Sequence, residues 1–549
     1  MATEAIAGPS FAFDQHPNND STPRLAGSPA PSAVLSSAEH DFCVIGGGTG
    51  CNAVLAAFQG VRTTFIVPVS DDGGSSSEVQ RVLGGPALGD IRSRLIRLIP
   101  PSPPSSPLDC IRRLLEYRLP GDGSGKSHTE VKGEWHEIVE GTHSLWRGIP
   151  GDRKETIRAF LVHFESAVLK KAQRGFNFKK ASIGNLFLSG ASLFLGSVPS
   201  AIFLFASLTG ISHDRIRIVP VINTSSTVTI AAELEDGQII AGQSEISHPS
   251  PATAAALAEQ GHNPSAPSTN LLSAPRGGQY GISAASGSRA EPSFPLTRAT
   301  TPSFPEPPVL GAEEDDSDHL FPPSPDPSTL SSSSAPPTLH APAPQRPSGS
   351  SLSRNLEFTK DASAIPPLPS RIRRIFYLSA FGSEIDPRPN GIFLSALRDA
   401  SCLVYAPGSL YTSIAPCLAL RPVGQLIAQA GEGEGEGRGP RFKVLLLNAT
   451  EDRETPGYDA TDFVWALTSA CDRSFPLGAA GEGREGMGRR CKPRQVVSHV
   501  VWLRNGKVKV DEAELVALGI TPIAVGPTAD GLLHEDVVRE ALERIFSAP

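Results

Sequence analysis

The run Asp41-Phe42-Cys43-Val44-Ile45 breaks directly into Gly46-Gly47-Gly48-Thr49-Gly50, and the next stretch, from Cys51 to Gln59, reads as a helix. A strand that ends in glycines and opens a helix turns bare backbone N–H groups toward one point, an arrangement that suits an anion and above all a nucleotide phosphate. A second strand-like run, Thr63 to Val69, leads into Ser70-Asp71-Asp72-Gly73-Gly74-Ser75-Ser76-Ser77. Gly48-x-Gly50-x-x-Ala53 also satisfies the dinucleotide pattern G-x-G-x-x-A, with an acidic pair about 20 residues further on. A tight turn holding no ligand is the plain alternative for the first loop. An N-cap or turn role is the plain alternative for Asp71.

Short apolar runs alternate with helical stretches along the chain, which predicts βαβ units and a parallel sheet. Strands are expected at Phe42–Ile45, Thr64–Val69, Ile216–Val221, Arg374–Leu378, Cys402–Ala406, Lys443–Leu447 and Val497–Leu503. Helices are expected at Ile91–Ile99, Leu108–Tyr117, Glu155–Leu169, Ile183–Leu195, Gly391–Asp399, Ala460–Ala470 and Glu535–Phe546. Two β-rich runs around Asp236-Gly237 read as an antiparallel hairpin. The fold class is therefore α/β, a Rossmann-like, doubly wound and mostly parallel sheet with a hairpin excursion.

Composition sets the domain boundaries. Residues 1–40 and 248–360 are rich in Pro, Ser and Ala without an apolar period, and include Ser331-Ser332-Ser333-Ser334. Such segments bury too little apolar surface to offset ordering entropy, so a disordered tail and a disordered insert are expected. Residues 41–247 and 361–549 remain as one split domain, and Gly431 to Pro440 and Gly478 to Arg490 read as surface loops. The net charge of −8 gives no nucleic-acid footprint. No run approaches the ~18 apolar residues of a membrane span. Seven scattered cysteines with no Cys-x-x-Cys pair point to buried, reduced thiols and a cytoplasmic setting.

The acidic pair before Gly73, Gly74 and Ser75 departs from a plain dehydrogenase, where one acid reads a ribose. Carboxylates beside N–H and hydroxyl donors suit a divalent cation bridging them to a phosphate. In Gly84-Gly85-Pro86-Ala87-Leu88-Gly89-Asp90-Ile91-Arg92, Asp90 is expected to cap a helix beginning at Ile91. Arg92 then falls in the first turn, where the helix dipole disfavours a cation unless an anion is near. A solvated arginine beside a capping acid is the alternative. Asn185 opens the apolar helix after Ser182 and suits a base or phosphate, or an ordinary cap. Pro407-Gly408-Ser409-Leu410-Tyr411-Thr412-Ser413 follows the strand Cys402–Tyr405 and makes a further strand-to-helix anion turn.

In combination these motifs resemble the CofD/YvcK-like family, which holds the 2-phospho-L-lactate transferase of deazaflavin coenzyme synthesis and the bacterial gluconeogenesis factor. Gly46 to Gly50, Asp71 to Ser76, Gly89 to Arg92, Gly184-Asn185-Leu186, Asp236-Gly237, Pro407 to Ser413 and Glu454-Thr455-x-Gly457-Tyr458 occur in the family's order. The resemblance implies that Gly46, Gly47, Gly48, Thr49 and Gly50 hold nucleotide phosphates. Asp71 and Asp72 would bind magnesium or orient an acceptor hydroxyl, with Asp90 assisting. Gly73, Gly74, Ser75, Arg92, Asn185, Pro407, Gly408, Ser409 and Tyr411 would complete the nucleotide site. In the transferase branch a deazaflavin hydroxyl attacks a guanosine-linked phospholactyl diphosphate and expels GMP. The acidic loop and Gly89-Asp90-Ile91-Arg92 are closer to the YvcK branch, which implies a nucleotide-sugar-binding regulator of carbon metabolism. Cys417 stands where the family has Asn, and Arg453 where it has Gly.

The expected function is a magnesium-assisted transfer of a phosphorus-containing group from a nucleoside diphosphate-linked donor. The regulator is its alternative, and an NAD-dependent oxidoreductase rests on the glycine pattern alone. The partner is a nucleoside diphosphate or nucleotide sugar; a homo-oligomer is left open.

Overall fold

The computed structural model describes residues 40–70, 73–171, 175–248, 367–430, 439–475 and 491–547. The expected tail and insert lie outside these residues apart from His40 and His248. Most of the surface loops Gly431 to Pro440 and Gly478 to Arg490, and both Asp71 and Asp72, also lie outside them.

Seven strands form one parallel sheet. They are β1 (Asp41–Ile45), β2 (Arg62–Val67), β3 (Ile216–Pro220), β8 (Cys402–Tyr405), β9 (Phe442–Leu446), β10 (His499–Leu503) and β11 (Thr521–Val525). The spatial order is β11-β10-β9-β8-β1-β2-β3, and every neighbouring pair runs parallel. Strand order therefore reverses between β1 and β8. In open parallel sheets the crevice for a ligand opens at the carboxyl ends of the strands flanking such a reversal. Ile45 pairs with Tyr405 across it, and the Ala406 N–H donates to the Ile45 carbonyl at 2.9 Å. The loops after β1 and β8 thus leave the sheet side by side.

Both sheet faces are covered, as continuous apolar strands require. Phe42, Val44, Cys402 and Val404 enter one core layer, and Cys43, Ile45, Leu403 and Tyr405 the other. All seven cysteines are buried and none forms a disulfide. The helices Ile183–Leu195 and Gly391–Asp399 match the sequence expectation to the residue.

A second sheet corrects one expectation. β4 (Thr229–Leu234) and β5 (Ile239–Ala241) form the expected hairpin, but β6 (Ile372–Leu378) joins them antiparallel, followed by β7 (Glu384–Ile385). The Arg374–Leu378 run had read as a strand of the parallel sheet. Its apolar pattern is that of a covered strand and says nothing of direction. Among the described residues no helix is long and apolar enough to cross a membrane.

Candidate functional site

The β1 loop is shaped by two glycines. Gly48 opens the helix Gly48–Ala53 with φ +56°, a backbone conformation that strains any residue with a Cβ. Gly50 approaches the neighbouring loop so closely that a Cβ there would lie 2.6 Å from the Pro407 carbonyl oxygen. Of Thr49 only the backbone is described.

Asp90 does not cap its helix, which begins one residue earlier and spans Gly89–Leu98. Its carboxylate reaches across to accept the Gly48 N–H. Burial raises the Asp90 pKa, against the pull of that N–H and of the Arg94 and Arg92 charges. Arg94 holds the β1 loop from behind. Its guanidinium donates to Cys51 Sγ at 2.6 Å and to the Gly46 carbonyl at 3.1 Å, and stands 5.2 Å over the Phe65 ring. Gly46 is thereby engaged inside the fold, and its own N–H donates to the Ile66 carbonyl.

The β8 loop is held by side chains that follow β9. The Gly408 N–H donates to Asn448 Oδ1 at 2.9 Å, and Asn448 Nδ2 donates to the Gly408 carbonyl at 2.8 Å. Asn448 so completes both backbone hydrogen bonds of one residue, as a neighbouring strand would. Next in the chain comes a π-turn, Leu410–Ile414. The buried Glu454 carboxylate accepts the Tyr411 and Thr412 N–H groups at 2.9 and 3.1 Å, the Thr412 hydroxyl at 2.6 Å, and the Ser247 hydroxyl. Burial, then the nearby Asp452 charge, pushes Glu454 up to about 7 against these bonds. Asp452 in turn accepts the Glu454 and Thr455 N–H groups, each at 3.0 Å. Arg453 donates to the carbonyls of Glu245 and Ile246, which fastens the short helix Gln243–Ser247 over the β9 end.

These parts enclose a cleft of about 470 Å³ at the carboxyl ends of β1, β8 and β9. Six expected residues line it: Gly47, Gly48, Gly50, Pro407, Gly408 and Ser409. Thr412, Ser413, Asn448 and Asp452 line it as well, without having been singled out. Thr412 and Ser413 lay inside the quoted motif. Asn448 and Asp452 follow an apolar run and belong to no pattern read in the sequence.

Other expected residues stand apart from that lining. Asn185 Nδ2 donates to Ser75 Oγ at 2.8 Å, while Asn185 Oδ1 is buried with no partner among the described residues. Arg92 is 8% exposed, and its guanidinium makes no hydrogen bond or ion pair with the described residues; its Nε is fully buried and orphaned. Burial, then the Arg118 charge, pushes Arg92 down to about 10. The Arg92 stem packs on Gly184, where a Cβ would lie 3.0 Å from Arg92 Cγ. Asp90 feels the Arg92 charge while accepting from Gly48, which connects this patch to the cleft. Gly73 precedes the helix Gly74–Leu83 as its N-cap. Tyr411 contributes its amide to the Glu454 network, but its hydroxyl lies 3.0 Å from the Tyr458 hydroxyl in a different cleft. Among the described residues no three His, Cys, Asp or Glu side chains are grouped to hold a metal ion.

The family model described as 2-phospho-L-lactate transferase CofD matches residues 42–525. The chain is 31% identical over 478 residues to the uncharacterized protein YNL011C of Saccharomyces cerevisiae, covering 85% of this chain and 91% of that protein. It is 37% identical over 106 residues to the gluconeogenesis factor of Bacillus subtilis, covering 19% of this chain and 29% of the relative. Against the gluconeogenesis factor of Halalkalibacterium halodurans it is 29% identical over 194 residues, covering 34% of this chain and 51% of the relative. The chain thus spans about half or less of these two bacterial relatives. Among solved structures, a Bacillus halodurans protein described as a member of the UPF0052 family is similar at 18% identity, with a TM-score of 0.48, over 92% of this chain and 99% of that one.

Proposed function

The chain belongs to the CofD family, a family of 2-phospho-L-lactate transferases, and on that premise we propose that it transfers a phosphorus-containing group from a nucleoside diphosphate-linked donor to an acceptor hydroxyl. The observation that carries this reading is Arg92, a largely buried side chain with an orphaned Nε and no hydrogen bond or ion pair among the described residues, packed on Gly184, the residue before Asn185, whose Oδ1 is likewise orphaned. A largely buried cation with no hydrogen-bonded or ion-paired partner is costly, and a ligand oxyanion would repay that cost.

In this reading the diphosphate lies along the backbone of Gly47–Gly50 and Pro407–Ser409. Arg92 neutralises charge on the phosphorus oxygens, and Asn185 orients the donor. Such a reaction needs in-line positioning and charge neutralisation more than covalent help. Magnesium would be held by Asp71 and Asp72, which lie outside the described residues. The ion would supply neutralisation of phosphate charge. A cytoplasmic setting and the division into tail, split domain and insert belong to the same proposal.

The bacterial relatives named gluconeogenesis factors favour a second reading, a non-catalytic regulator that binds a nucleotide sugar in the same cleft. Incubating the full chain with GDP- and UDP-linked donors, in magnesium or in EDTA, separates the two. The transferase reading expects nucleoside monophosphate release that EDTA and Arg92→Gln abolish. Tight binding of the donors without release, across acceptor alcohols, would reject it in favour of the regulator. A metal-independent response to NAD alone would point to an oxidoreductase.

A further inference from the structure

Behind the π-turn Leu410–Ile414 lies a second cleft of about 220 Å³. Strand β6, the turn, Tyr458 and the helix Ala460–Arg473 contribute its lining, and short side chains such as Ala415 and Ala466 leave the space. Its charged groups are unevenly matched. Arg371 pairs with Asp462 at 2.9 Å and lies 4.6 Å over the Tyr458 ring. Arg373 and Arg374 share Glu233, and Arg374 also reaches Glu384 at 2.8 Å. Arg473 donates to the Arg373 carbonyl but has no carboxylate within ion-pair distance among the described residues. Exposed at the last turn of its helix and beside two other arginines, this fork suits a planar or tetrahedral oxyanion.

The two phenols make the same demand independently. The hydroxyls of Tyr411 and Tyr458 share one hydrogen bond at 3.0 Å. Whichever donates, the other keeps an O–H with no acceptor among the described residues. Buried hydroxyls are ordinarily satisfied, so an acceptor oxygen is missing from this cleft. An exposed guanidinium whose hydrogen bond among the described residues goes to a backbone carbonyl, and a phenol proton with no acceptor among them, therefore line one cleft.

We propose that this cleft is a second ligand site, for a small molecule bearing a phosphate or carboxylate group held by Arg473 and the Tyr411–Tyr458 pair. The site also reports to the first cleft. Tyr411 is anchored through its amide to Glu454, which binds the hydroxyl of Thr412, and Thr412 lines the first cleft. A ligand that moves Tyr411 therefore acts on the wall of the other site, and the coupling is reciprocal. The proposal stands on these contacts and does not depend on the transferase reading.

Trp465 lines the second cleft and supplies the signal. The full-length chain is titrated with inorganic phosphate and, in a separate arm, with citrate, each against sodium chloride at matched ionic strength. The expected result is a saturable change in tryptophan emission in at least one arm, absent in Trp465→Phe. Arg473→Gln should raise the half-saturation concentration about tenfold, Arg473→Lys should restore part of it, and Tyr458→Phe should weaken binding severalfold. Arg92→Gln should leave the titration unchanged. No saturable change in either arm would overturn the proposal. So would a titration that survives Arg473→Gln in a chain melting as the unsubstituted protein does, or one that Arg92→Gln abolishes.

Discussion

Arg92 sets stability against binding at a single position. Its side chain is largely buried, with Nε orphaned and no hydrogen bond or ion pair among the described residues, so removing the charge while keeping the bulk should stabilise the unliganded protein. Arg92→Met is expected to raise unfolding free energy by about 1–3 kcal/mol in denaturant titrations without ligand and to abolish the stabilisation by GDP. A variant less stable than the unsubstituted chain, yet still stabilised by GDP, would contradict this. Glu454 gives a pH signature. Its folded pKa of about 7 exceeds the ordinary 4.5, so between those values the folded chain keeps a proton the unfolded chain has released. Its contribution is therefore full below about pH 4.5 and is lost as pH rises toward 7. His248, whose pKa burial lowers, acts in the opposite sense, so the measurement is a difference between unsubstituted and Glu454→Gln chains. That difference should fall by about 3 kcal/mol between pH 4.5 and 8, and a flat difference would contradict the assignment. Arg92 was legible in the sequence because a cation in a first helical turn is out of place. Arg94, two residues on, was not: its partners Cys51 and Gly46 become neighbours only once the sheet forms.

The clamp between Asn448 and Gly408 shows how one element holds another. Asn448→Ala removes both of its bonds to the β8 loop and should cost about 1–2 kcal/mol of stability while weakening GDP binding several-fold. Unchanged affinity, read by calorimetric titration, would show that the β8 loop is not part of the site. Helices with a strong apolar period, such as Ile183–Leu195, were readable from pattern alone. The helix His128–Glu140 was passed over although Ser127 and Glu130 form a capping box at its start. β11 was missed for a different reason. Pro522 interrupts its run, and a proline is tolerated there because β11 is an edge strand, a property of the assembled sheet. The direction of β6 was likewise unreadable, since a covered strand looks alike in either orientation.

Across the whole molecule, the order β3-β2-β1-β8-β9-β10-β11 brings loops from distant parts of the chain to one crevice. The glycine turns announced this convergence in the sequence, because each is a local strand-to-helix device. Asn448 and Asp452 gave no such notice, and Glu454, though part of a family motif, gave none of its role, since they work by reaching loops that only the fold brings near. The central claim is that the β1 and β8 loops together grip a diphosphate, and a crystal structure of the full chain with GDP and magnesium tests it most directly. The account predicts the diphosphate between the backbones of Gly48–Gly50 and Gly408–Ser409, with an oxyanion within reach of Arg92. A nucleotide bound elsewhere, with those two loops bare, would contradict it.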